Sequence, residues 1–312
     1  MIAIFRIIRP INLLIIVLTM YGCKFYLEKK QHILNTDTSN YLFLTLVIST
    51  LFIAAAGNII NDYFDVKADR VNKPYKMIIN RSLKRRWAIM LHWIFNFCGF
   101  FLAVIIGSVL NSLWFVVIHL ISINMLWFYS LFLKKKAVIG NMIIGLLTAL
   151  IPVLVIIFFE ISYLETNPDT LNSKMWYLHD AYKLLWMLCL FAFIQNFARE
   201  ILKDIEDIKG DKLIYVRSLP MIIGIRKTQI TIAFILLIPV CIYIYFFSIN
   251  AFSQIGLNSI NSLGFGVASV LNLVVIIRLL LSNKNEYFWN NQLIKLSMLF
   301  GLMTTFHASF IQ

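Results

Sequence analysis

Long apolar runs alternate with short charged stretches along the whole chain. A helix that crosses a bilayer needs about 20 mostly apolar residues. By that measure nine spans are expected, at approximately 9–27, 41–62, 88–109, 112–133, 137–159, 181–202, 228–249, 260–282 and 292–311. The runs are rich in Ile, Leu and Phe and lack the strict two-residue alternation of a membrane barrel strand, so they read as helices. Two runs end unusually. Residues 57–73 read G-N-I-I-N-D-Y-F-D-V-K-A-D-R-V-N-K, and residues 199–211 read R-E-I-L-K-D-I-E-D-I-K-G-D.

Composition agrees with a membrane protein. The 312 residues are 60% hydrophobic and only 14% charged, whereas a soluble domain carries about 25% charged residues. No small-residue cleavage site follows the first apolar run, so a signal peptide is not expected. The whole chain, 1–312, reads as one membrane domain.

Lys and Arg set the expected orientation, since basic residues collect in cytoplasmic loops. The segments before the first run and after the second, fourth, sixth and eighth hold 23 of the 28 basic residues. The opposite side receives Lys24, Lys29, Lys30, Lys174 and Lys183. The N-terminus is therefore expected in the cytoplasm and the C-terminus outside. The net charge of +13 follows from this bias and an anionic ligand, and calls for no nucleic acid.

The candidate chemistry lies in the two acidic stretches, both on the expected cytoplasmic side. They contain eight of the fifteen carboxylates. Asn61, Asp65 and Asp69 recur every four residues, which places them on one helix face. Two such carboxylates about 6 Å apart repel by about 0.7–3 kcal/mol, so a cation is expected between them. The five histidines are scattered, and Cys23, Cys98, Cys189 and Cys241 stand alone in apolar runs, where buried packing is expected. An oxygen-only donor set suits a hard ion such as Mg²⁺, which takes one or two carboxylates and leaves sites for water and phosphate. Interleaved Lys and Arg suit a metal-bridged polyphosphate. A transporter would instead place ionisable groups near mid-helix, and no D-G-x-x-A-R arrangement of an alcohol phosphotransferase is present.

The stretch Asn61-Asp62-Tyr63-Phe64-Asp65-x-x-x-Asp69-Arg70-x-Asn72-Lys73-Pro74 resembles the first aspartate-rich motif of the UbiA superfamily of intramembrane prenyltransferases. Lys203-Asp204-x-x-Asp207-x-x-Gly210-Asp211 resembles its second motif, and Phe128-Tyr129-Ser130-x-x-Leu133-Lys134-Lys135 with Gly140-Asn141 resembles the region joining its fourth and fifth helices. Arg9-Pro10-x-Asn12 is a further, weaker match. The resemblance implies an all-α bundle of nine membrane helices around a central cavity open to the cytoplasm. It implies a lipophilic acceptor and an isoprenyl diphosphate held through two Mg²⁺ ions. Asn61, Asp65 and Asp69 match one metal-binding set; Asp207 and Asp211 match the other, with Asp204 adjacent. Lys203, Lys134, Lys135, Arg70 and Lys73 would meet the diphosphate, and Tyr129 would face the allylic carbon. With Asp65, Asp69 and Asp207, Tyr129 makes up the implied catalytic set.

Within that superfamily the spacing is most similar to the geranylgeranylglycerol-phosphate geranylgeranyltransferase branch, which attaches a second geranylgeranyl chain to a prenylated glycerol phosphate to make an ether-lipid precursor; a bacterial or archaeal cell membrane is the expected location. Members that prenylate aromatic acceptors in quinone biosynthesis share much of the pattern. The chain departs from the family after Asn72-Lys73-Pro74, reading Tyr75-Lys76-Met77-Ile78-Ile79-Asn80-Arg81. This implies a different loop over the site. Arg81, Arg85 and Arg86 are candidates for an acceptor phosphate or simple cytoplasmic charge.

Overall fold

The computed structural model describes residues 2–31, 37–166, 182–249, 252, 257, 262–281 and 286–310. Lys174, Lys284 and the expected span ends at 181, 260–261, 282 and 311 lie outside the described residues. The described chain is helical, with no named strand. Nine helices are long: α2 (Pro10–Gln31), α3 (Asp37–Asn72), α4 (Arg85–Val109), α5 (Trp114–Leu131), α6 (Ile139–Thr166), α7 (Lys183–Asp211), α9 (Ile225–Ser248), α10 (Leu263–Leu281) and α11 (Tyr287–Phe310). Two short helices complete the set, α1 (Ile2–Ile7) and α8 (Leu219–Ile223).

Eight of the long helices, all but α11, are long and apolar enough to cross a membrane, and the chain is an integral membrane protein. Helix α11 has the length, 24 residues, but Asn290, Asn291, Gln292 and Lys295 dilute its first half. The largest departures from the expected spans are α3 and α7, which run past 62 and 202 to Asn72 and Asp211. Their apolar stretches end where expected. The helices continue through both acidic motifs because no Pro or positive-φ residue interrupts either one. A span judged by hydropathy stops at the first charged cluster, whereas backbone hydrogen bonding does not.

Packing is tightest where side chains are small. A Cβ on Gly99 of α4 would lie 2.8 Å from Ile53 Cγ1 and 3.0 Å from the Ser49 carbonyl oxygen of α3; only glycine permits that approach. A large apolar core distant from the motifs gathers Met20, Tyr26, Phe43, Phe158, Phe159 and Phe265. A small cluster of Ile7, Ile59, Val66, Ile79 and Ala88 ties α1, α3, α4 and the 74–84 segment together beside the first motif. Large apolar side chains such as Phe97, Trp93 and Phe234 remain exposed, as a lipid-facing surface requires. Cys23 and Cys189 are buried, but Cys241 is exposed, which the membrane tolerates in a small apolar side chain.

Candidate active site

The two acidic motifs meet because α3 and α7 are pinned at their ends. The Asn72 amide nitrogen donates to the Asp207 carbonyl oxygen at 2.9 Å, and the Gly210 N–H donates to the Asn72 amide oxygen at 2.7 Å. Helix contact is so close here that a Cβ on Gly210 would lie 2.5 Å from the Ala68 carbonyl oxygen. Each buried hydrogen bond of this kind contributes about 0.5–1.5 kcal/mol, and leaving either group unpaired costs about 1–3 kcal/mol. Next to the pin, Lys73 Nζ lies 2.6 Å from Asp207 Oδ1, an ion pair from the first motif to the second.

On α3 the stripe is helical, as the four-residue spacing predicts. The Asn61 amide donates to Asp65 Oδ2 at 2.9 Å. Its own carbonyl oxygen, Oδ1, is buried with no partner among the described residues. Asp65 is 6% exposed and pairs with Lys134. Asp62, on the flank of the stripe, pairs with Arg9. A short pocket beside it is lined by Asp62, Val66, Asp69, Met77, Ile78 and Ile79, so the irregular segment after the first motif packs over that motif. Met77 and Ile78 are partly buried and Ile79 is 2% exposed, which gives this segment an apolar anchor against the first motif.

Local backbone geometry aims the cations. Arg9 has φ +55° between α1 and Pro10, the first residue of α2. That left-handed turn is unfavourable before proline, and the Arg9–Asp62 pair helps to hold it. Lys134 sits in a one-turn 3-10 helix, Leu133–Lys135, between α5 and α6. The Arg217 N–H donates to the Lys135 carbonyl oxygen at 3.1 Å, fastening this loop to the segment after α7. Lys134 points inward while Lys135 is exposed. Burial works against the Lys134 charge, but Asp65 and the other anionic groups outweigh it and raise its pKa; it stays protonated at physiological pH. Arg70 is exposed as well. Of the five basic residues expected near a diphosphate, Lys73, Lys134 and Lys203 line the interior, and Lys135 and Arg70 face outward. For Lys134 and Lys135 the reason is helical phase: adjacent lysines in one turn point to different sides.

On α7, Glu200 receives Arg199 Nη1 at 3.2 Å and also pairs with Lys203. Asp204 accepts from the Asn141 amide at 2.8 Å. Asp211 is 3% exposed; like Asp69, its carboxylate has no ion-pair or hydrogen-bond partner among the described residues. Both feel the charges of Asp65, Lys134 and Lys73, so the two motifs share one electrostatic field. Tyr129 is 7% exposed and lies within electrostatic reach of Lys134, Glu200, Asp65 and Asp204, facing the interior of the bundle.

Among the described residues no three His, Cys, Asp or Glu side chains converge as a ready-made metal cage. The donor set nevertheless fits Mg²⁺, which needs only one or two carboxylates per ion. Asn61 offers an orphaned amide oxygen, and Asp69 and Asp211 offer carboxylates that no protein cation has claimed. Several residues of the site were not singled out from the sequence: Asn72, Asn141, Asp62, Arg9, Arg199 and Glu200. Arg199 and Glu200 open the second acidic stretch, and Asn72, Asn141, Asp62 and Arg9 fall inside motif-like stretches. The partners of these last four are 53 to 138 residues away, and no helical period encodes such a pairing.

Comparison with known proteins places the chain among relatives. The digeranylgeranylglyceryl phosphate synthase of Methanosarcina mazei is 31% identical over 270 residues, spanning 86% of this chain and 82% of that protein. The synthase of the same name from Pyrococcus horikoshii is 31% identical over 188 residues, 60% of this chain and 58% of its own length. A solved structure described as "Structural and mechanistic insights into the biosynthesis of Digeranylgeranylglyceryl phosphate synthase in membranes" superposes with TM-score 0.64 at 23% identity, covering 99% of this chain and 98% of that one. A UbiA homolog from Archaeoglobus fulgidus bound to DMAPP and Mg²⁺ gives TM-score 0.55 at 14% identity, over 97% and 98%. At these identities the solved structures establish the fold. The profile of the UbiA prenyltransferase family matches residues 16–298, a stretch that includes both aspartate motifs and the loop carrying Lys134, and the chain belongs to that family.

Proposed function

We propose that this protein transfers a geranylgeranyl group from its diphosphate to the hydroxyl of a prenylated glycerol phosphate, in a Mg²⁺-dependent reaction that makes an ether-lipid precursor. The observation that carries the reading is the Asn72–Gly210 pin, which sets two aspartate motifs face to face with Lys73 and Lys134 between them. The names of the relatives support the acceptor, and the ligands of the A. fulgidus homolog support the diphosphate and the metal. The site is taken to face the cytoplasm, with the N-terminus on that side, and the chain to act as a single domain with nine spans around a central cavity.

Asn61, Asp65 and Asp69 would hold one Mg²⁺, and Asp207 and Asp211, with Asp204 adjacent, a second. The metal supplies neutralisation of the negative charge that grows on the departing diphosphate. Lys73, Lys134 and Lys203 add fixed positive charge at the same place, where preorganised electrostatics stabilise a transition state most. Lys73 and Lys134 are kept at the site by Asp207 and Asp65, the carboxylates that would turn to the metal and so release both cations to phosphate oxygens. The C–O bond to diphosphate breaks with its electron pair going to the leaving group. The acceptor oxygen forms the new bond to the allylic carbon and its proton passes to solvent. The buried Tyr129 ring would stabilise the developing allylic cation, an effect worth about 0.5–2 kcal/mol.

Purified protein with geranylgeranyl diphosphate and Mg²⁺ is expected to prenylate geranylgeranylglycerol phosphate and to stop when EDTA is added. Turnover that persists in EDTA removes the metal assignment. Turnover of dihydroxynaphthoate in place of the glycerolipid removes the acceptor assignment.

A further inference from the structure

The interior holds more positive charge than the diphosphate reading uses. Arg199 lies on α7 two turns before Asp207, about 12 Å deeper along the helix axis, and its side chain is only 12% exposed. Its Nη1 donates to the Asn196 amide oxygen at 3.2 Å and to Glu200 Oε1 at 3.2 Å. Its Nε is buried and has no partner among the described residues. Glu200 cannot neutralise it alone, because Lys203 claims the same carboxylate oxygen. Arg9 is electrostatically coupled to Arg199, Glu200 and Lys203 from the turn between α1 and α2. Arg9, Arg199 and Lys203 thus gather around Glu200, with Asp62 and Asp65 on the Arg9 side and Glu206 within electrostatic reach of Arg199, yet none of these carboxylates bonds the Arg199 Nε.

An arginine within a membrane-spanning helix is costly, about 2.5–3.5 kcal/mol on insertion scales, and marks function by default. A buried ion pair alone would not offset that, since apolar replacements are often as stable. The unused guanidinium edge is suited to a tetrahedral oxyanion, which Arg engages through parallel N–H donors in a way Lys cannot. The surface arginines are poorer candidates. Arg81 and Arg86 are exposed, and the Arg85 guanidinium stacks 4.5 Å from the centre of the Tyr63 ring.

We propose that Arg199, assisted by Arg9, binds the phosphate monoester of the acceptor in a subsite that borders the diphosphate site at Glu200, which Arg199 shares with Lys203. This rests on the glycerol-phosphate reading above and assigns the residues that select it. The phosphate would anchor the acceptor on the α2–α3–α7 side, with its hydroxyl directed toward the prenyl diphosphate between the motifs.

The test compares geranylgeranylglycerol phosphate with geranylgeranylglycerol on the wild type, Arg199→Gln and Arg199→Lys. Calorimetry without donor reads binding, and steady-state assays read KM for each substrate. The wild type is expected to bind the phosphorylated lipid at least about tenfold more tightly than the alcohol, the scale of a charge-assisted contact. In Arg199→Gln that preference should collapse while KM for geranylgeranyl diphosphate stays within about twofold; Arg199→Lys should restore part of it. Equal binding of the two lipids by the wild type overturns the proposal, as does Arg199→Gln weakening both lipids alike or raising the donor KM. Preferential binding without turnover would support the subsite and sink only the function proposed above. A melting profile matching the wild type shows that each variant is folded.

Discussion

The acidic ends of α3 and α7 carry similar residues but neutralise them differently. On α3, Asp62 and Asp65 are matched by Arg9 and Lys134, which lie 53 and 69 residues away in other segments. On α7, the deepest carboxylate, Glu200, is matched by its own neighbours Arg199 and Lys203. Its later carboxylates then look outward: Asp204 to a neutral amide on α6, Asp207 to Lys73 of the first motif, and Asp211 to no protein cation among the described residues. The first motif is therefore organised by the rest of the fold, whereas the second is half self-contained. Asp69 and Asp211, the terminal carboxylates of each motif, are the ones with no bonded protein cation among the described residues.

The sharpest test of this contrast removes what the two motifs have in common. Asp69→Asn and Asp211→Asn are each expected to lower turnover by at least about a hundredfold, the scale of losing one electrostatic contact to developing charge. Neither variant breaks a protein ion pair, so both should melt at or above the wild-type temperature. A variant that melts early while keeping activity would show the carboxylate to be structural.

The next test separates the motifs by stability. Lys134→Ala strands the buried Asp65 carboxylate and should cost about 3 kcal/mol, besides lowering activity. Lys203→Ala leaves Glu200 facing Arg199 and should cost about 1 kcal/mol. Thermal unfolding in detergent, scored as the order of melting temperatures, checks the pair; equal shifts would erase the difference between remote and local neutralisation.

The smallest effects are expected from the outward-facing basic residues. Lys135→Ala and Arg70→Ala should leave the KM for geranylgeranyl diphosphate within about twofold, because exposed charges in water contribute little. A tenfold rise in either would mean that the loop or the end of α3 turns inward when the diphosphate binds.

Much of this was legible along the chain. Hydropathy located the long helices to within a few residues at most ends, since a bilayer demands length and apolarity from each segment separately. The four-residue spacing of Asn61, Asp65 and Asp69 indicated one face, and the absence of His or Cys spacing indicated a hard cation. The ends of α3 and α7 were less legible, because hydropathy measures solvent preference and the helical backbone runs on into charged sequence. Lys134 and Lys135 are the clearest example of what could not be read: adjacent, chemically identical, and sent to opposite sides by a single turn after α5.

Sequence alone determined the membrane class, the shared helix face of Asn61, Asp65 and Asp69, and the family resemblance, because each depends on residue type and local period. Tertiary structure decided that Asn72 pins Gly210, that Arg9 and Lys134 close on the first motif, and that Arg199 is left with an unused donor deep in the bundle. Those outcomes depend on which distant segments meet, and on a glycine small enough to let two backbones touch. A one-dimensional pattern carries neither.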